Sequence, residues 1–464
     1  MKLKDLNIFS KKNELNMIVT EKGKLTLFTL FIPILIEMLL KNLMGTVSVF
    51  IMSRISDDAV ASIGVASQVL TMFVQFYTVI GIGATVVINQ NLGAKRRKRA
   101  SETAEAAIYL SFFIGSLIGI LITIFAEPVI RIMQLEERLI PDAVIYLQIT
   151  VGLSAFQAVM SSAMAISRAY GNTVYPVIVS LIMNAFNAVG SYFVVFCSSN
   201  LPLSKVAGIA IVRIISEMIA CLLMLVLLKR AFPQICLKNI RSFKLQIVKD
   251  ILQIGIPNGI MTISYSTSQT VSTAILTALG TVAVSAKIYV TNIVLYSYLV
   301  SSSLGQANAL MVGRLVGQQE YEKAYRMTMR NLFVTLFINA VFASSLAMMR
   351  LTLLGFFTED AKILGLGAGV MIIDIFVELG RGANNTFENA LTASGDTRFP
   401  MIISICSTWG ISIIFSYVLG VKLGLGLRGC WIAFALDEIL RGFIQMERWK
   451  SGIWKRKSLI KSSN

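Results

Sequence analysis

Apolar residues dominate this chain in long runs rather than in the short stripes of a soluble amphipathic helix. A helix that spans a bilayer needs about 20 mostly apolar residues. Twelve stretches meet that length, near 25–51, 59–88, 105–126, 143–167, 174–197, 206–228, 251–279, 283–312, 328–349, 363–390, 399–421 and 428–447. None alternates with period two over about ten residues, so the pattern excludes a β-barrel. The expected fold is an all-α membrane protein of twelve transmembrane helices.

Composition agrees. The 464 residues are 55% hydrophobic and 14% charged, with a mean hydropathy of +0.73, against about 25% charged in soluble domains. No cleavable signal peptide is expected, because residues 1–24 are polar and basic and the first apolar run is too long. The formal net charge of +17 takes its meaning from where the cations lie. With the N-terminus placed in the cytoplasm, 29 Lys and Arg fall on inside segments and 8 on outside segments, with five more inside helices. That asymmetry predicts cytoplasmic termini in a cell inner membrane. It makes the run Lys95 to Arg99 an anchor beside anionic headgroups and argues against a nucleic-acid partner. The five cysteines, Cys197, Cys221, Cys236, Cys406 and Cys430, show no CxxC spacing and read as small apolar fillers.

The chain is duplicated. Pro33 and Pro257, Gly93 and Gly317, Gly171 and Gly395, and Pro176 and Pro400 are all separated by 224 residues. After a three-residue slip, Gly208 pairs with Gly429 and Glu217 with Glu438. Six helices per copy give both copies the same topology, and a substrate path is expected between such halves. The expected layout is a cytoplasmic segment at 1–24, an N-lobe at 25–230, a cytoplasmic linker at 231–249, a C-lobe at 250–448 and a basic tail at 449–464.

Several stretches are similar to one family. They are "PILIEMLLKNLMGTVSVFIMSRISDDAVASIGVASQ", "AISRAYGNTVYPVIVSLIMNAFNAVGSY", "IGIPNGIMTISYSTSQ", "IIDIFVELGRGANNTFENALTASGDTRFP" and the region from "YVLGVKLGLGLRG" to "WKSGIWK". Over essentially its whole length the chain resembles the multidrug and toxic compound extrusion (MATE) transporters. The resemblance implies two six-helix lobes around a central cleft, and efflux driven by inward H⁺ or Na⁺ flow. The chain departs from the family at Ser48, where relatives usually carry Asp, at Met261, where relatives often carry Glu, and at Gly190-Ser191, where the family pattern is "GN".

An ionisable group at mid-bilayer is costly and is a functional candidate by default. Glu37 lies four residues after Pro33, with Lys41 one turn further on. Burial disfavours its ionised form, so it is a candidate for binding a proton or Na⁺; a plain Glu37–Lys41 ion pair is the alternative. Glu37→Gln is expected to abolish efflux without lowering membrane expression. Asp374 and Glu378 are i and i+4, too close to ionise together cheaply in low dielectric, and Arg381 stands three residues beyond Glu378. This group is the expected C-lobe coupling site, or else a Glu378–Arg381 bridge with Asp374 beside the cavity. Asn184, Asn187, Lys287, Asn292 and Arg381 are candidates for lining a substrate or cation cavity, with Asn184 and Asn187 also able to act as interhelical glue. Lys287 is expected to pair with Asp374 or Glu378. Arg213 and Glu217 read as a structural pair, and Asp437, Glu438 and Arg441 as ties at a helix end.

The chain has no histidine, no P-loop and no GxSxG or HExxH motif, so neither an enzyme nor an ATP-driven pump is expected. No cofactor is expected beyond H⁺ or Na⁺ as coupling ion. A small organic compound, cationic and amphipathic, is the expected substrate, and a monomer the expected state. A specialised exporter of a natural product or lipid-linked sugar, and a non-transporting scaffold or receptor, stay open on sequence alone.

Overall fold

The structure, a computed structural model, describes residues 18–20, 23–52, 56–133, 135–196, 204–235 and 244–460. Cys197, Cys236 and the side chain of Ser48 lie outside the described residues, as do most of 1–24 and part of the linker. A two-stranded antiparallel ribbon, β1 (Ile18–Thr20) and β2 (Gly23–Leu25), precedes the helices. The chain then runs α1 (Leu27–Met52), α2 (Asp57–Gly93), α3 (Arg97–Ile132), α4 (Ile140–Gly152), α5 (Ala155–Ala169), α6 (Val174–Phe196) and α7 (Lys205–Ala231). It continues as α8 (Leu245–Thr277), α9 (Thr281–Gly317), α10 (Tyr321–Met348), the short α11 (Arg350–Gly355), α12 (Ala361–Ser394), α13 (Arg398–Ser407) and α14 (Gly426–Lys450).

Among the described residues, nine helices are long and apolar enough to cross a membrane. A tenth span comes from α4 and α5 together, bent by 47°, where the sequence predicts one helix over 143–167. The other two of the twelve, α8 and α14, are more polar. The first carries Lys249, Asp250 and a run of Ser and Thr; the second carries Asp437, Glu438 and Arg441. Polar groups in a spanning helix turn toward protein rather than lipid, and these three side chains of α14 are buried. Outward faces are apolar instead. Phe112, Phe113, Ile120 and Ile124 on α3, and Phe333 and Phe337 on α10, are exposed, a surface that soluble monomers rarely carry. The protein is an all-α, multi-pass membrane protein of two homologous six-helix bundles.

Two compact units divide the chain: Ile36–Leu92 with Arg96–Gly259, and Ile260–Asn464 with Met1–Leu35 and Gly93–Lys95. Helix α1 changes unit after Leu35 and α8 after Gly259. Those two positions keep the 224-residue spacing of the repeat. The core of the first unit gathers Ile63, Leu70, Ile130, Tyr146, Leu147 and Ile209. The core of the second gathers Leu276, Val290, Leu354, Met371, Cys430 and Trp431.

One element of the repeat has a conformational cause. Gly171 and Gly395, repeat mates, both turn the chain with positive φ, 89° and 98°, where glycine fits and a side chain is strained. Each ends one helix and launches the next. After Gly171, the Asn172 Oδ1 accepts from the N–H groups of Val174 and Tyr175. After Gly395, Asp396 pairs with Arg448 at 2.8 Å.

Candidate functional site

Helix α12 carries the candidate site. Its start is fixed by Asp360, whose carboxylate accepts from the N–H groups of Lys362 and Ile363, and its end by Gly395. Asp374, Glu378, Arg381, Asn385 and Glu388 fall at i, i+4, i+7, i+11 and i+14, which keeps them on one face. The stripe extends roughly 21 Å at 1.5 Å per residue.

Helix α14 packs against α12 at backbone distance. A Cβ at Gly380 would stand 2.7 Å from the backbone nitrogen of Ile439, and one at Gly442 would stand 3.1 Å from that of Asn384. These small residues let the helices approach closely enough for their charged side chains to interlock. Gly380→Ala is expected to push α14 away and to cost about 1–3 kcal/mol of stability. Thermal unfolding in detergent checks this, and an unchanged midpoint would contradict the close approach.

The interlocked charges form one network. Arg381 bridges Glu378 on its own helix and Glu438 on α14, the latter at 3.5 Å. Arg441 bridges Asp437 and Glu438, both at 2.9 Å. The Ser407 hydroxyl donates to Asp437 at 2.5 Å and the Asn384 amide to Glu438 at 2.8 Å. Asp374, 4% exposed, accepts from the Trp431 indole N–H at 3.0 Å. Glu378 is fully buried, and its Oε2 has no hydrogen-bond partner. Glu388 accepts from the Ser404 hydroxyl at 3.4 Å. Five carboxylates thus gather around two guanidiniums in a low-dielectric setting, where an unbalanced charge is strongly unfavourable. Among the described residues no three acids converge as metal ligands would.

A cavity of about 130 Å³ opens onto this network. Its wall includes Tyr265, Tyr298, Arg381, Glu388, Glu438 and Arg441, with Met261 where the family resemblance implies an acid. The Arg381 guanidinium sits 5.6 Å from the Tyr298 ring centre, a cation–π distance. Beside the cavity, α13 continues as wide π-turns over Thr408–Ile413 and Ser416–Lys422, irregularities frequent at functional sites.

Other sequence candidates lie elsewhere. Glu37 is 2% exposed. Both of its oxygens accept from Arg168 at 2.7 Å, and Lys41 bridges it at 2.9 Å. The Lys41 pairing matches the sequence reading; Arg168, 131 positions away, does not appear in it. Glu37 thus sits in a buried cluster with two cations, the alternative ion pair of the sequence reading with Arg168 added. Lys287 pairs with neither Asp374 nor Glu378. It is buried and donates to the hydroxyls of Thr273 at 2.8 Å and Ser272 at 3.5 Å, because α9 turns it toward α8 instead of α12. Asn184 donates to the carbonyls of Leu40 and Ser180 and so ties α6 to α1. Asn187 is buried on the same helix, whereas Asn292 is exposed and donates back to the Ile288 carbonyl. Arg213 bridges Glu217 at 3.2 Å. Asp437, Glu438 and Arg441 do not tie down a helix end: they form the second wall of the charge network. Sequence reasoning missed Glu388 as well, although the spacing from Asp374 and Glu378 places it on their stripe. Cys221 and Cys430 are buried free thiols and Cys406 an exposed one.

Apolar outward faces and charges gathered inward beside a small cavity define a multi-pass membrane protein with a buried charged site. Comparison with known proteins places it further. The MatE family profile matches twice, over residues 33–193 and 257–418, and its two matches begin at Pro33 and Pro257, the first pair of the repeat. The chain belongs to the MatE family, the multidrug and toxic compound extrusion transporters. An uncharacterised transporter of Bacillus subtilis, YisQ, is 33% identical over 94% of this chain and 96% of its own length. A protein of Thermotoga maritima described as a probable multidrug resistance protein, NorM, is 26% identical over 94% of each chain. Among solved structures, a MATE protein in a bent conformation superposes with a TM-score of 0.85 at 18% identity, covering 94% of this chain and 96% of its own. A transporter of Pyrococcus furiosus reported to have a binding pocket of reverse polarity does so at 0.83 and 18%, covering 92% and 94%.

Proposed function

We propose that this protein exports small organic compounds, cationic and amphipathic, in exchange for H⁺ or Na⁺ moving inward. The observation that carries the reading is the excess of carboxylates over guanidiniums in the α12–α14 network beside the cavity. Charge neutrality at bilayer depth requires bound protons or cations there, and a site that gains and loses a cation is what antiport needs. Asp374 and Glu378 are the coupling acids in this account. Asp374 has the Trp431 indole as its partner and no bridging cation among the described residues, and Glu378 has an oxygen without a hydrogen-bond partner. Glu37, held by two cations, is assigned to structure. The asymmetry of Lys and Arg supports an inner-membrane protein with the 1–24 segment, the 231–249 linker and the basic tail in the cytoplasm. We read it as a monomer that is neither an enzyme nor dependent on a cofactor.

The test is ethidium efflux from proteoliposomes under imposed pH and Na⁺ gradients. Wild type should drive uphill efflux with one of the two gradients. Asp374→Asn and Glu378→Gln should each lower the rate at least about tenfold at equal protein content, the effect of about 1.4 kcal/mol on a barrier. Wild-type rates in both variants would remove these acids from the mechanism.

A further inference from the structure

We propose that Lys41 and Arg168 form a subsite for an acidic group, such as a carboxylate, on the transported compound. The proposal rests on the exporter reading above and deepens it, since it names zwitterions, cations that also carry an acid, as a favoured substrate class.

Charge and exposure carry the argument together. Glu37 accepts from Arg168 Nη1 with both oxygens at 2.7 Å and is bridged by Lys41 at 2.9 Å. One carboxylate thus meets two cations, and among the described residues no second acid bridges either of them. The cluster is net positive, opposite in sign to the α12–α14 network. Its acid is hidden and its cations are not: the Glu37 side chain is 3% exposed, Arg168 17% and Lys41 49%. A ligand that reaches the cluster therefore meets N–H donors rather than a carboxylate. Donors are also to spare. An ammonium has three N–H groups and a guanidinium five, and Glu37 engages a single nitrogen of each. Among the described residues, Arg168 Nε and Nη2 have no acceptor.

The position of Lys41 on α1 says what it is exposed to. Phe28, Ile32, Ile36 and Leu43 are exposed and apolar, and they form one stripe of the helix, the lipid face. Leu30, Ile34, Glu37 and Lys41 fall at i, i+4, i+7 and i+11 and share the opposite face. The first three are buried and Lys41 is not. A charge exposed on the face turned from lipid, midway along a spanning helix, lies against water inside the protein. The setting is fixed rather than loose. The Asn184 amide of α6 donates to the Leu40 carbonyl at 3.2 Å, and Arg168 comes from the last turn of α5. Glu37, Lys41, Arg168 and Asn184 all belong to one compact unit. In low dielectric a hydrogen bond from an ammonium or guanidinium to a carboxylate is about twice as strong as a neutral one, so an acidic group on a ligand gains most where two such donors are held side by side.

The test is fluorescence anisotropy of the purified protein with two dyes that differ in one group. Tetramethylrhodamine carries a free carboxylate beside its cationic rings, and its methyl ester carries the cation alone. Wild type in neutral detergent should bind the acid at least about tenfold more tightly than the ester, the scale of one charge-assisted hydrogen bond. Lys41→Met and Lys41→Gln leave the Glu37–Arg168 pair in place and should each remove most of that preference. Equal affinities in wild type, or an unchanged preference in both variants, would overturn the proposal. So would a preference that persists in phosphatidylcholine nanodiscs and vanishes in phosphatidylglycerol ones, since the site would then belong to a lipid phosphate. A preference in binding without gradient-driven efflux of either dye would count against the exporter reading and leave the subsite standing. Efflux of both dyes with equal affinities would keep the exporter reading and remove the subsite.

Discussion

Arg381→Met is expected to lower the stability of the protein by about 3–5 kcal/mol, the usual cost of stripping one partner from a buried ion pair, and to abolish efflux. Among the described residues, Arg381 is the one cation bridged to carboxylates of both α12 and α14, through Glu378 on one side and Glu438 on the other. Methionine fills much of the same volume, so the loss is electrostatic rather than steric. It leaves Glu378, fully buried and already with one unpartnered oxygen, without its cation. Arg381→Lys should recover only part of the loss, because a single ammonium cannot reproduce a planar fork that reaches two acids. Thermal unfolding in detergent, with fluorescence-detected size exclusion for folded yield, measures the first effect, and proteoliposome efflux the second. An Arg381→Met protein that unfolds at the wild-type temperature would show that the two helices do not depend on this bridge.

The fold was legible because lipid imposes a simple rule on sequence. A span must be long and apolar, so length alone marks most helices, and the glycines and prolines at 224-residue spacing mark the duplication. What strains or escapes the rule is informative. Helices α8 and α14, expected from sequence at 251–279 and 428–447, are more polar than the other ten spans, and α14 is polar because it faces the charge network. The bend between α4 and α5 contains Gly152 but no proline to announce it. The site was legible only along single helices. Periodicity pairs Glu37 with Lys41 and Glu378 with Arg381, and both pairs are present. Contacts across helices carry no such signature: Arg168 on Glu37, Glu438 on Arg381 and Thr273 on Lys287 join residues whose spacing says nothing of their meeting. Glu388 is the exception that could have been found, since extending the i, i+4, i+7 stripe by two further turns reaches it.

Glu37 shows how one such cross-helix contact changes a prediction. From sequence, Glu37→Gln is expected to stop transport and spare folding. With Arg168 on both of its oxygens, the guanidinium side chain 17% exposed and the carboxylate 3%, the expected effect moves to stability. Arg168→Leu should cost about 3–5 kcal/mol, because it leaves a buried carboxylate whose remaining partner, Lys41, is half exposed. Glu37→Gln should cost less, since the amide oxygen can still accept from the guanidinium while the charge on Arg168 retains some access to solvent. The double variant Glu37→Gln with Arg168→Leu removes both charges and should be more stable than Arg168→Leu alone. That non-additivity, read from unfolding midpoints of all four proteins, isolates the pair from everything else each side chain does. Independent, additive effects would return Glu37 to the candidate coupling acids; strong coupling, with gradient-driven ethidium efflux retained in the double variant, would confine the coupling chemistry to the α12–α14 wall.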